Sequence, residues 1–275
     1  MSKRRKPAPP RQTRRTRTPE DRGARVAREM TDAVRAQIRG LAGRDALQAE
    51  IMATALLSMW RPDWPGDAEA LDELGTIMLT NLGTRPDVDA LALLVAVRAM
   101  ATPPFDAAAD ASVTALAALG VPEPAWSRSV TRPALVETWI STDELDDQSN
   151  IAATFVYDGQ TPHVIVFLTD ANFGGLIRQA FIGANPGQVR DQWTRASAVP
   201  IRPLSEQELA DRLARGIEAF DETLDPPIDA EARQLMPLLR ARLRLLPPPR
   251  PLGSLPVRAD GPVSAPAKPS PAAPI

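Results

Sequence analysis

The chain contains no cysteine. Disulfides, thiolate metal ligands and cysteine nucleophiles are therefore excluded, and a reducing cytoplasm is the expected setting. Histidine occurs once, as His163, so no pair of imidazoles can build a zinc site. Lysine is confined to Lys3, Lys6 and Lys268, while arginine, alanine and proline abound, a pattern of GC-rich bacterial coding. No apolar run reaches the roughly 18 residues of a membrane-spanning helix, so no membrane partner is expected. Met1-Ser2-Lys3-Arg4-Arg5-Lys6 opens like a signal peptide, but prolines and further arginines follow in place of an apolar stretch. No secretory or twin-arginine signal is predicted. A phosphate-binding P-loop and a dinucleotide Gly-x-Gly-x-x-Gly are also missing, and no cofactor is expected.

What is present begins with an uneven charge. The net charge is −2, yet residues 1–25 hold ten basic and two acidic side chains, leaving a net −10 on the rest. Residues 1–18 have almost nothing apolar to bury, which predicts a disordered basic arm. The arm could contact nucleic acid or an acidic protein through residues 3–25, with Arg4, Arg5, Arg14, Arg15 and Arg17 as candidate contacts. It has no aromatics to stack on bases, and the plainer reading is a solubilising tail. Residues 247–275 open with Pro247-Pro248-Pro249 and hold ten prolines, which predicts an extended, solvated second tail.

Between the tails, residues 19–246 read as one core. Thr18-Pro19-Glu20-Asp21 is a helix start, and apolar residues spaced by four carry that helix to about Leu41. Further helices are predicted over about 45–60, 67–83, 86–100 and 106–119. The fourth is read as entered by a capping box at Thr84-Arg85-Pro86-Asp87. Gly120-Val121-Pro122 is a helix stop. The helical part runs over 19–122, with a possible boundary near 122–132. A sheet-containing part follows over 133–200, with strands predicted at 135–140, 151–157 and 163–168. Val164-Ile165-Val166-Phe167-Leu168 is apolar on both faces, as in a central strand covered on both sides. Two helices close the core over 205–246, the first behind the capping box Ser205–Glu208, the second containing Pro237. The fold class is therefore α+β: a helix-rich N-terminal part, a small, mostly antiparallel sheet and two C-terminal helices.

The stretch Leu168 to Arg178 looks most like a site. A buried strand ends in Thr169-Asp170-Ala171-Asn172, Gly174 and Gly175 follow, and an apolar pattern after them reads as a helix. Such a helix N-terminus would offer free amides to an anion. Asp170, Asn172, Gly174, Gly175, Arg178 and His163 are the candidate ligand-binding residues, with His163 a candidate base. The plainer reading is a capped turn. As a calcium loop the stretch fails at Gly174 and at Phe181, so no metal is assigned. The acidic run Asp143-Glu144-Leu145-Asp146-Asp147 reads as a solvated loop.

The residues Asp170-Ala171-Asn172-Phe173-Gly174-Gly175-Leu176-Ile177-Arg178 resemble a pattern in a family of uncharacterised actinobacterial proteins, over about residues 135–185. That pattern often has histidine where this chain has Ala171. The resemblance implies a fold-defining Asp-x-Asn-x-Gly-Gly turn and no activity. Two functions remain open from sequence: a non-catalytic cytoplasmic binding or interaction protein, or an enzyme or small-ligand protein with its pocket at 168–178.

Overall fold

The computed structural model describes residues 19–60, 68–130, 132–145, 147–196 and 200–250. The basic-arm candidates Arg4, Arg5, Arg14, Arg15 and Arg17 and the chain beyond Arg250 lie outside them. The described residues form an α+β fold of eight α-helices and a five-stranded antiparallel sheet.

Five helices come first: α1 (Pro19–Gln37), α2 (Ala46–Met59), α3 (Ala68–Leu82), α4 (Val88–Met100) and α5 (Phe105–Ala118). Local chemistry sets most of their ends. Asp45 accepts from the Gln48 amide at 2.8 Å and starts α2. Gly120 takes a left-handed φ of 77°, its N–H donates to the Ala117 carbonyl and the Val121 N–H donates to the Leu116 carbonyl, closing α5. The start of α4 differs from the sequence expectation. Asp87, not Thr84, is the cap, accepting from the amides of Asp89 and Ala90 at 3.0 and 3.1 Å. Thr84 instead donates back to the Asn81 carbonyl at the end of α3. Asp87 also pairs with Arg35 of α1, which ties three helices at one point. Helix α4 is buried from Ala90 to Val97 and is the axis of this layer.

The sheet follows as β1 (Ala134–Thr142), β2 (Gln148–Val156), β3 (His163–Asp170) and β4 (Leu176–Gly183), with the short β5 (Arg202–Pro203) on the far edge. Its order is β4-β3-β2-β1-β5. Strand β3 is covered on both faces, as its sequence implied. Ile165 and Phe167 join the main core, whereas Val164 and Val166 join a second cluster with Trp139 and Ala152. That second face packs on α6 (Pro186–Ala196), where Trp193 meets Trp139 edge to face at 4.6 Å. The main face packs on α7 (Glu206–Glu222) and α8 (Ala230–Leu243).

The reading of a helix after Gly174-Gly175 is overturned. Residues 176–183 are strand β4, paired with β3 from Leu176↔Asp170 to Gly183↔Val164. The apolar run lacks clean alternation, but an exposed edge of β3 with unpaired amides and carbonyls captures it. Helix α7 then seats on this strand through Gly216, where a Cβ would stand 2.5 Å from Ile177.

Helix α8 joins the two halves, touching α2 and α4 on one side and β4 and α7 on the other. At the junction Arg242 is 2% exposed and lies against Glu50 of α2 and Tyr157 at the end of β2. One core cluster runs from Ile38 to Ala241 across both halves.

Candidate anion-binding cleft

The polypeptide leaves β3 through a single turn of 3-10 helix at Ala171–Phe173. Asp170 organises it. Its buried carboxylate accepts from the Asn172 amide at 3.1 Å and from Arg178 at 3.0 Å. The Arg178 guanidinium in turn lies 5.0 Å from the centre of the Phe173 ring. Gly174 and Gly175 then carry φ of 69° and 90°, a conformation costly for residues with a Cβ. At Gly175 a Cβ would also stand 2.9 Å from Cδ of Arg215. The amides of Gly174 and Gly175 are spent within the turn, on the carbonyls of Ala171 and Asp170. No helix N-terminus faces a ligand here.

The turn nevertheless borders a cleft of about 530 Å³. Its walls are Asp147, Ser149 of β2, Thr169 of β3, Ala171, Gly174 and Gly175 of the turn, and Arg212 and Arg215 of α7. Ser149 and Thr169 are cross-strand partners, both almost fully buried, and the Thr169 hydroxyl donates to the Ser149 carbonyl at 3.4 Å. Arg212 reaches toward the Ser149 hydroxyl at 3.5 Å. The buried Nε of Arg215 has no hydrogen-bond partner among the described residues. The stem of Arg215 lies over Gly175, which explains why α7 and the turn approach so closely.

Of the candidates read from sequence, Gly174 and Gly175 line the cleft. Asp170 and Arg178 shape the turn, and Asn172 is exposed and does not line the cleft. His163 is elsewhere. It opens β3 while Asp170 closes it, which separates them by roughly 23 Å at strand rise. His163 stacks on Tyr157 with ring centres 5.4 Å apart, and neither ring nitrogen has a hydrogen-bond partner among the described residues. Burial, reinforced by the nearby Arg242 charge, lowers its pKa to about 4.

His163, Tyr157, Glu50 and Arg242 thus form a closed polar junction, and none of them lines the cleft. Tyr157 donates to Glu50, and Arg242 donates to Glu50 and, at 2.7 Å, to the Tyr157 oxygen. The Arg242 guanidinium also covers the Phe155 and Tyr157 rings at 5.2 and 5.7 Å. Burial raises the Glu50 carboxyl and the Tyr157 phenol, with Arg242 pulling both back. Burial also works against the charge of Arg242, but Glu50 and Tyr157 outweigh it.

Arg212, Arg215 and Ser149 escaped the sequence reading, which had Thr169 in the site-like stretch without making it a candidate and read Asp147 as part of a solvated loop. The available signal was Arg212-x-x-Arg215 beside the apolar stripe Leu209, Leu213, Ile217, which puts both arginines on adjoining positions of one helix face. A second, smaller cleft of about 380 Å³ lies by Arg98, Arg128 and Arg132, whose side chains are exposed. Among the described residues no helix is long and apolar enough to cross a membrane, and no cluster of His, Asp or Glu forms a metal site. No protein-family model matches the chain, and neither a curated protein nor a solved structure is similar to it.

Proposed function

We propose that this is a non-catalytic binding protein that takes a small anion, a phosphate or carboxylate, in the cleft between α7 and the turn after β3. The observation that carries this reading is Arg215: a guanidinium whose Nε is buried without a partner, beside a second arginine and two hydroxyls. Guanidinium matches the planar, multi-acceptor geometry of such anions, and hydroxyls complete their shell. Asp147 on the cleft wall suits a ligand that also carries a donor.

Isothermal titration of the full chain with inorganic phosphate, and separately with citrate, at constant ionic strength tests the reading. Saturable binding of at least one is expected, weakened about tenfold by Arg215→Ala, the loss of one charge-assisted hydrogen bond. Binding by neither, or binding unchanged in Arg215→Ala, overturns it.

The basic stretch 3–25 supports a second, separate activity: contact with nucleic acid or an acidic protein. Deleting residues 1–25 should then abolish salt-sensitive retention on a nucleic-acid column. Retention unaffected by the deletion removes this second reading.

A further inference from the structure

Helix α7 carries Gln207, Asp211 and Arg215 at intervals of four, one above another on a single face. Aspartate four residues before arginine is a pairing arrangement, yet Arg215 does not pair with Asp211. Arg250 is there instead. Its backbone N–H donates to Asp211 Oδ1 at 2.7 Å, and its Nε and Nη2 both reach Oδ2, at 2.7 and 2.5 Å. Gln207 donates to Oδ1 at 3.0 Å and, also at 3.0 Å, to the Pro248 carbonyl. The Asp211 side chain is only 4% exposed, so these four donors saturate a buried carboxylate. The segment Pro247–Arg250, read from sequence as the start of a free tail, is clasped onto α7 next to the cleft.

We infer that this clasp controls the anion cleft: Arg250, by occupying Asp211, leaves the Arg215 guanidinium free for a ligand. The inference rests on the reading of the cleft as an anion site. When Arg250 leaves, Asp211 keeps only the Gln207 donor, and a carboxylate left without its cation attracts the nearest one. Arg215 sits one turn away on the same face. Its guanidinium swings back along the helix, and the cleft loses a positive charge. Anything that pulls the proline-rich segment from α7, such as a partner that takes up Pro-Pro-Arg, would therefore release the anion.

The test uses the full chain, Arg250→Ala, and the double variant Asp211→Asn/Arg250→Ala, which removes the stranded carboxylate. Two readouts are needed: the Nε–Hε signal of Arg215 in nitrogen-15 spectra without ligand, assigned by its loss in Arg215→Lys, and titration with inorganic phosphate. In Arg250→Ala the Arg215 signal should shift and its exchange with water slow, while phosphate affinity falls about tenfold. The double variant should restore the original signal and affinity. An Arg215 signal unchanged in Arg250→Ala, or one that stays shifted in the double variant, overturns the clasp. The predicted signal pattern with no phosphate binding by any version upholds the clasp's effect on Arg215 and discards phosphate as the cleft's anion.

Discussion

Two arginine-centred sites lie on opposite ends of the same sheet, and they are built on opposite rules. At the junction, Arg242 is enclosed and matched: one carboxylate, one phenol and two ring faces meet it. At the cleft, Arg212 and Arg215 stand over two hydroxyls and a glycine turn, with Asp147 on the rim. A buried guanidinium bonded to a carboxylate and a phenol and covered by two rings stabilises an arrangement and is closed to a ligand. The Nε of Arg242 and that of Arg215 are both buried without a partner among the described residues, but only Arg215 borders an open cleft. The junction joins helices to sheet, and the cleft is where the proposed anion would bind.

The largest expected effect breaks the junction. Arg242→Ala strands Glu50 in the core and should cost about 3–5 kcal/mol by chemical denaturation. A loss below about 1 kcal/mol would mean that the junction is not what joins the two halves. Next comes pH. The folded state holds His163 at about 4 against an ordinary 6.5, so the unfolded chain binds the extra proton between those values. The stability this gives is complete above pH 6.5 and is lost as pH falls toward 4, by up to about 3 kcal/mol. Glu50, with its raised pKa, acts in the opposite direction over part of this range. The comparison of wild type with His163→Phe isolates the histidine: the gap between their unfolding free energies should shift in favour of the variant as the solution is acidified. Parallel curves would show that His163 is not held neutral by burial.

At the cleft the effects are smaller and fall on binding. Arg215→Ala should weaken phosphate or citrate about tenfold while leaving the denaturation midpoint nearly unchanged, the reverse of Arg242→Ala. Asn172→Ala, at an exposed position of the turn that does not line the cleft, should change stability by no more than about 0.5 kcal/mol and binding not at all. A strong effect there would move the site to the far face of the turn.

Much of the architecture is legible in local chemistry. Ser205 and Glu208 form the reciprocal capping box that their spacing predicts, Gly120-Val121 stops α5, and the double-sided apolarity of Val164–Leu168 marks a central strand. Where local signals compete, the longer-range partner decides. Leu176–Gly183 has no clear period of its own, and pairing along β3 makes it a strand. Thr84 had the right spacing for a cap, but Asp87 caps better because it can serve two amides and Arg35 at once. The turn at 168–178 stands out in sequence because polar residues and paired glycines follow a buried strand. Its arginine wall does not, because the one local signal, Arg212-x-x-Arg215 beside an apolar stripe, is faint in a chain so rich in arginine. Grouping His163 with Asp170 overlooked the length of the strand between them.

The most direct measurement is a phosphate titration followed through the backbone amides of the full chain. The account predicts that Ser149, Thr169, Gly174 and Gly175 shift together and saturate, while the amides around Trp193 and Tyr157 stay still. Shifts that gather instead around Arg98, Arg128 and Arg132, or in residues 1–25, or that never saturate, would contradict it.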